Sequence, residues 1–167
     1  MNLSTDYPLP SYLIVFEVNG YPNHCGIYLS QIGFMDNSLL GTRCIDITHK
    51  KFPKGSPRVF KILGLKIEPM TEFFNQFMTL PREVIAMERA NKGWYLTREA
   101  PDFVMNLRSL RSKNKESMNC VEWVLYGLEL GGLDLPMNIL TPNQLAIWCI
   151  NNLVEIEYGK FADSVVN

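Results

Sequence analysis

The hydrophobic pattern of this chain changes near residue 70, and that change limits the folds that the chain can adopt. Before this point, short β-branched and aromatic runs alternate with Gly, Pro and Asn, which is typical of strands joined by turns. We predict strands at 12–18, 24–29, 34–40, 43–48 and 58–67. After this point, apolar residues recur at helical spacing. Strands followed by helices predict an α+β fold built on an antiparallel sheet.

Capping and helix-ending residues mark the helices of the second half. We predict helices at 71–78, 82–91 and Cys120–Leu130. The third of these ends at Gly131-Gly132, as helices often do. A further helix is expected to start at Thr141, a capping residue type, with Pro142 in its first turn. A late strand is predicted at 153–158.

Length, charge and cysteine content exclude several classes of protein. The 167 residues are expected to form a single domain, 1–167, with its own core. A net charge of −1 gives no bias toward nucleic acid or acidic membranes. No apolar run approaches the roughly 20 residues of a membrane span. Residues 1–10 lack a signal-peptide pattern, so we expect a cytoplasmic protein, or one exported by a route that needs no signal peptide.

Cys120 is the first candidate for chemistry. It starts a helix directly after Asn119, so backbone N–H groups and the helix dipole would face the sulfur and favour the thiolate. The alternative interpretation is a buried small apolar group, which is the common fate of free cysteines. Cys25, Cys44 and Cys149 stand in apolar contexts and are expected to be core filling. The four cysteines and two histidines lack the spacing of a metal site, so no metal is expected.

A reactive thiol needs a base, and the chain has only two histidines. In a strand, side chains alternate between the two faces. His24 therefore shares a face with Gly26, which leaves room beside it, whereas Cys25 belongs to the apolar core face. His24 on its own is more often structural. His49 lies at a strand end beside two lysines and is expected to be exposed.

Two motifs together are more specific than either alone. His-x-Gly-Ile-Tyr-Leu at 24–29, followed by Asn-Cys-x-x-x-Val at 119–124, resembles the permuted NlpC/P60 branch of the papain-like cysteine enzymes. That branch includes the lecithin retinol acyltransferase-like proteins and the YiiX-like hydrolases. The resemblance covers roughly 11–50 and 115–155, including a Thr-Pro helix start at 140–145. It implies a circularly permuted papain-like fold, in which the N-terminal antiparallel sheet packs against the Cys120 helix.

The resemblance also assigns roles to residues. Cys120 would be the nucleophile and His24 the general base. In the acyltransferase-like members a histidine twelve residues further on orients the imidazole, and the same count reaches Asp36 here. A carboxylate can do this work. A shift of one or two residues in this count would assign the orienting role to Asn37 or Ser38 instead.

The implied function is that of a thiol hydrolase, as an amidase or peptidase, or of an acyltransferase. Either would act on an amide or ester through a thioester, without a cofactor. The substrate would be a peptide or isopeptide, or a lipid or small-molecule acyl compound, and residues 70–115 would shape its groove. An exported effector would also have a delivery or immunity partner. The alternative is a catalytically inactive papain-like module that serves in binding or as a scaffold.

Overall fold

A six-stranded antiparallel sheet forms the centre of the structure. The computed structural model describes residues 9–30, 32–38, 41–78, 120–136 and 138–166. The strands are β1 (Ser11–Val18), β2 (Tyr21–Leu29), β3 (Gly33–Ser38), β4 (Gly41–Ile45), β5 (Ser56–Ile62) and β6 (Val154–Ile156), in the order β4-β3-β2-β1-β5-β6. In the described part of the chain there are four helices: α1 (Ile67–Met78), α2 (Cys120–Leu130), α3 (Pro142–Asn152) and α4 (Tyr158–Val166). The predicted α+β class is confirmed.

The boundaries of most predicted elements differ by a few residues from those observed, and local reasons explain the differences in β2, β5 and α1. Asn19 and Gly20 have φ values of 53° and 73°, which suits a tight two-residue hairpin turn. β2 therefore already begins at Tyr21. At the end of β5, Gly64 adopts a φ of 77°, so the strand stops at Ile62 and helix α1 starts at Ile67. The predicted helix at 82–91, the stretch 92–118 and Asn119 lie outside the described residues.

Helix α3 begins as the sequence predicts. The Thr141 hydroxyl accepts a hydrogen bond from the backbone N–H of Gln144 at 3.2 Å. The Gln144 side chain accepts one in return from the backbone N–H of Thr141 at 3.1 Å. This reciprocal capping box satisfies two backbone donors that an unpaired helix start would leave open.

Both faces of the sheet are covered by apolar packing. On one face, helices α1, α2 and α3 cover a large core that includes Cys25, Cys120 and Trp123. The opposite face carries a second cluster, built on Phe16 and Phe34 and closed by Phe161 of α4. Helix α4 was not predicted from the sequence. Because it covers this face, the His24 side of β2 is apolar as well.

Helix α2 is positioned by aromatic packing and by direct contact with the sheet. Trp123 stacks on Phe74 of α1 with ring centroids 4.1 Å apart. Both side chains are fully buried. The helix contacts β2 and β3, so its first residue, Cys120, is brought to the middle of the sheet. Among the described residues, no helix is long and apolar enough to cross a membrane.

Gly26 provides a test of how β2 and β3 fit together. The space beside Gly26, expected to accommodate His24, is filled by the Phe34 ring: a Cβ there would lie 2.3 Å from that ring and 2.8 Å from the Met35 carbonyl oxygen. We expect Gly26→Ala to lower the free energy of unfolding by about 1–3 kcal/mol, as measured by urea denaturation. Gly159→Ala is the matched control, since a Cβ in this helix meets only the Glu157 carboxylate at 3.7 Å. Equal stability of the two variants would contradict the packing described.

Candidate active site

Three neighbouring strands place the polar residues of the site in one row. Asp36 of β3 lies opposite Gly26 of β2 and opposite Arg43 of β4. Residues directly opposite one another in an antiparallel pair project to the same face. His24 lies two residues from Gly26 and therefore shares that face. Register alone thus lines up His24, Asp36 and Arg43.

A β-bulge lies immediately beside His24. Phe16 of β1 pairs with His24, but the next residue, Glu17, pairs with Pro22, so Asn23 is an extra residue in β2. A bulge bends its strand and can redirect the neighbouring side chain. The pairing of β2 with β3 also stops at Gly26 opposite Asp36, two residues before His24 is reached. His24 therefore stands where the regular ladder ends.

Asp36 is a fully buried carboxylate held by two cationic partners. The His24 Nε2 atom lies 2.7 Å from Asp36 Oδ2. Arg43 donates two hydrogen bonds to the same carboxylate, from Nε at 2.6 Å and from Nη2 at 2.8 Å. Arg43 is fixed in turn by a bond from Nη1 to the Lys51 carbonyl at 2.6 Å. Burial acts to raise the pKa of Asp36, but the bonds from Arg43 and His24 outweigh it and lower that pKa.

The His24 imidazole bridges Asp36 and Cys120. Because Nε2 faces Asp36, Nδ1 is the ring nitrogen left for the sulfur. Burial acts to lower the pKa of His24, but hydrogen bonds to Asp36 and Cys120 raise it to about 9. The ring also packs on Phe16, with centroids 5.9 Å apart. At neutral pH His24 is therefore an imidazolium in a fixed orientation.

The pKa of Cys120 shifts in the opposite direction. The Cys120 sulfur accepts a hydrogen bond from the thiol of Cys25, and this bond lowers the Cys120 pKa against the effect of burial. His24 and the backbone N–H of Cys25 lower that pKa further. The start of α2 adds the favourable end of a helix dipole. Only 7% of Cys120 is exposed to solvent. The two shifts therefore favour a thiolate at Cys120 beside an imidazolium at His24, in a nearly closed site.

The structure brings Cys120, His24 and Asp36 together. The alternative residues lie elsewhere or outside the described part of the chain. Asn37 follows Asp36 in β3, so strand alternation turns it to the opposite face. The side chain of Ser38 lies outside the described residues. His49 is exposed, and its Nδ1 accepts a hydrogen bond from the backbone N–H of Lys51 at 3.1 Å.

Sequence reasoning missed two residues of the site, Arg43 and Cys25. Cys25 does fill the core as expected, since it is fully buried in the main apolar cluster, but it also lies beside Cys120. Cys120 lies on the sheet-facing side of α2, directly against the core face that Cys25 occupies. Strand alternation contained this signal, because it already assigned Cys25 to the face that a helix must cover. Arg43 left no comparable signal, since the Leu39-Leu40 connection contains no turn-forming residue type that fixes the register.

This arrangement can perform nucleophilic chemistry. Cys120 supplies a thiolate, His24 a proton donor and acceptor, and Asp36 the group that orients the ring. The first N–H groups of α2 have no partner within the helix, so the Cys120 N–H can stabilise an oxyanion. Among the described residues, no group of three or more His, Cys, Asp or Glu side chains is arranged to hold a metal ion.

The charge state of Cys120 can be measured directly. We expect pH-dependent alkylation, mapped to Cys120 by mass spectrometry, to give an apparent pKa well below the ordinary value of about 8.5. His24→Ala should return the pKa toward or above that value, because it removes the cation. His49→Ala is the matched control and should leave the titration unchanged. A wild-type pKa near 8.5 would rule out the ion pair.

Arg43 can be tested through stability. Arg43→Met leaves Asp36 buried without its bidentate partner, and we expect a loss of about 3–5 kcal/mol in the free energy of unfolding at pH 7. Arg58→Met removes a surface bridge to Glu155 at 2.7 Å and should cost at most about 1 kcal/mol.

The Asp36–Arg43 pair also predicts that the free energy of unfolding depends on pH. The pKa of Asp36 is lowered in the folded state, so its contribution to stability is present above its unfolded pKa of about 3.9 and lost as pH falls further. The difference between wild type and Arg43→Met should therefore shrink below about pH 4, as measured by urea denaturation. A difference that is the same at pH 3 and pH 7 would contradict an ionic role for Arg43.

Comparison of the chain with protein-family models, with curated proteins and with solved structures finds no match.

Proposed function

We propose that this protein is a cysteine-nucleophile hydrolase or acyltransferase that acts on an amide or ester through a thioester intermediate. One observation carries the proposal: the His24 imidazole binds the buried Asp36 carboxylate at 2.7 Å and also interacts with the Cys120 sulfur. An inert core cysteine needs neither an oriented imidazole nor a helix terminus. The combination of the three residues is what nucleophilic catalysis requires.

In the first half of the reaction, the Cys120 thiolate attacks the substrate carbonyl carbon and an S–C bond forms. The developing oxyanion is stabilised by N–H groups at the start of α2. The His24 imidazolium then gives its proton to the leaving amine or alcohol as the C–N or C–O bond breaks. The products are a thioester on Cys120 and a neutral imidazole.

In the second half, neutral His24 takes a proton from water or from another acceptor. The activated oxygen or nitrogen attacks the thioester, and the Cys120 thiolate leaves while His24 is again an imidazolium. Hydrolase and acyltransferase differ only in the group that attacks at this step.

A circularly permuted papain-like fold is part of the proposal. The order of the site supports it, because the histidine strand precedes the cysteine helix in the chain. The helix start lies against that strand, as expected for such an enzyme. Asp36 stands where acyltransferase-like members have a histidine. Since Arg43 neutralises the carboxylate, the Asp36–Arg43 pair presents His24 with an orienting acceptor that carries little net charge.

Two substrate classes fit the chemistry, and intact-mass measurement separates them. Wild-type protein is incubated with small activated esters, lipid esters and peptide amides, and the chain is weighed for an acyl adduct. We expect an adduct on Cys120 with the accepted class, and none with Cys120→Ala. Full turnover by Cys120→Ala would contradict the proposal. A wild type that forms no adduct and has no turnover with either class would favour the binding module.

The two histidines give a matched pair for the kinetics. We expect His24→Ala to lower kcat/KM by about 100- to 10,000-fold, the usual contribution of general acid–base catalysis. His49→Ala should retain wild-type activity. The wild-type rate should fall above pH 9, because the His24 pKa of about 9 marks the loss of the proton that the leaving group needs. Equal activity of the two variants would contradict the role of His24.

A further inference from the structure

A second thiol lies against the nucleophile, and the proposed reaction does not use it. Cys25 is fully buried in β2, and its thiol donates a hydrogen bond to the Cys120 sulfur. The two residues belong to the same core cluster, where α2 packs on β2. Both are free cysteines in this structure. Two neighbouring thiols, one of them with a lowered pKa, are the components of a disulfide.

We propose that Cys25 and Cys120 form a peroxide-sensitive dithiol pair, in which hydrogen peroxide converts the two cysteines into a reversible intramolecular disulfide. This inference goes beyond the proposed function. It uses the reactive sulfur of Cys120 but requires no acyl substrate and no turnover.

The first step is oxidation of Cys120. Its thiolate attacks one peroxide oxygen, so an S–O bond forms and the O–O bond breaks. The departing hydroxide takes the proton of the His24 imidazolium and leaves as water. Cys120 is now a sulfenic acid, and the peroxide has been reduced.

The second step joins the two sulfurs. Cys25 gives up its thiol proton and attacks the Cys120 sulfur, so the S–S bond forms and the S–O bond breaks. The departing hydroxide combines with that proton as the second water. One peroxide thus oxidises two cysteines and yields two water molecules, with no other reactant required.

Location decides which thiol can resolve the sulfenic acid. Cys44 belongs to β4, and its thiol donates instead to the Ile32 carbonyl at 3.7 Å. Cys149 belongs to α3, and burial raises the pKa of its thiol to about 12. Cys25 is the cysteine that already contacts the Cys120 sulfur. A disulfide between them requires the two sulfurs to close to about 2.05 Å.

Burial favours a small oxidant over a bulky one. Cys120 is 7% exposed and Cys25 is not exposed at all. Hydrogen peroxide is small enough to reach so little exposed surface and, unlike an acyl substrate, needs no groove to bind in. The internal partner also protects the nucleophile, because a disulfide can be reduced and a sulfinic acid ordinarily cannot.

The test follows free thiols by mass. Full-length protein is treated with hydrogen peroxide, unfolded and alkylated, and the chain is weighed. We expect the four alkylated cysteines of untreated protein to fall to two. A peptide joining Cys25 to Cys120 should appear, and dithiothreitol should restore all four thiols. In Cys25→Ser, dimedone should trap a sulfenic acid on Cys120 and no linked peptide should form.

Cys149→Ser is the matched control, since it places the same substitution at another fully buried cysteine. It should form the disulfide as wild type does. Cys25→Ala repeats the experiment if the buried serine prevents folding, which circular dichroism reports. Over-oxidation of wild-type Cys120 with Cys25 still alkylated, a Cys25–Cys149 link, or four unchanged thiols would each overturn the inference. Failure to find acyl turnover would not overturn the inference, because the experiment measures the oxidation state of sulfur.

Discussion

The buried carboxylate of Asp36 is the constraint on which the rest of the site depends. A charge removed from water is costly unless it is paired and hydrogen-bonded. Here Arg43 occupies both oxygens, and His24 shares one of them. The three residues come from β2, β3 and β4, so the carboxylate obtains both partners only in this register of the sheet. The imidazole is oriented as a consequence.

The Cys120 sulfur interacts with residues from both faces of the sheet. Cys120 approaches from the helical face, in contact with Cys25, while His24 belongs to the face packed on Phe16. They interact because β3 stops pairing with β2 at Gly26 and because a bulge at Asn23 bends the strand beside His24. The irregular backbone therefore allows the His24 imidazole to reach Cys120.

Much of the fold could be predicted from the sequence, and about half of the site. Strands β1–β5 and helices α2 and α3 were located because alternation, helical spacing and caps act between near neighbours. Helix α4 was missed because Phe161, its buried residue, is recognisable as a core position only once the sheet face it covers is known. Asp36 was reached by counting along the chain, and the structure shows His24 bound to it.

By itself, the sequence determined that Cys120 starts a helix, that His24 lies in a strand and that strands precede helices. These are local facts, since they depend on residues a few positions apart. Only the tertiary structure decided that Arg43 lies opposite Asp36 and that Cys25 lies beneath Cys120. Strand register and helix placement follow from burying a common core, and that free energy is shared among residues far apart in the chain.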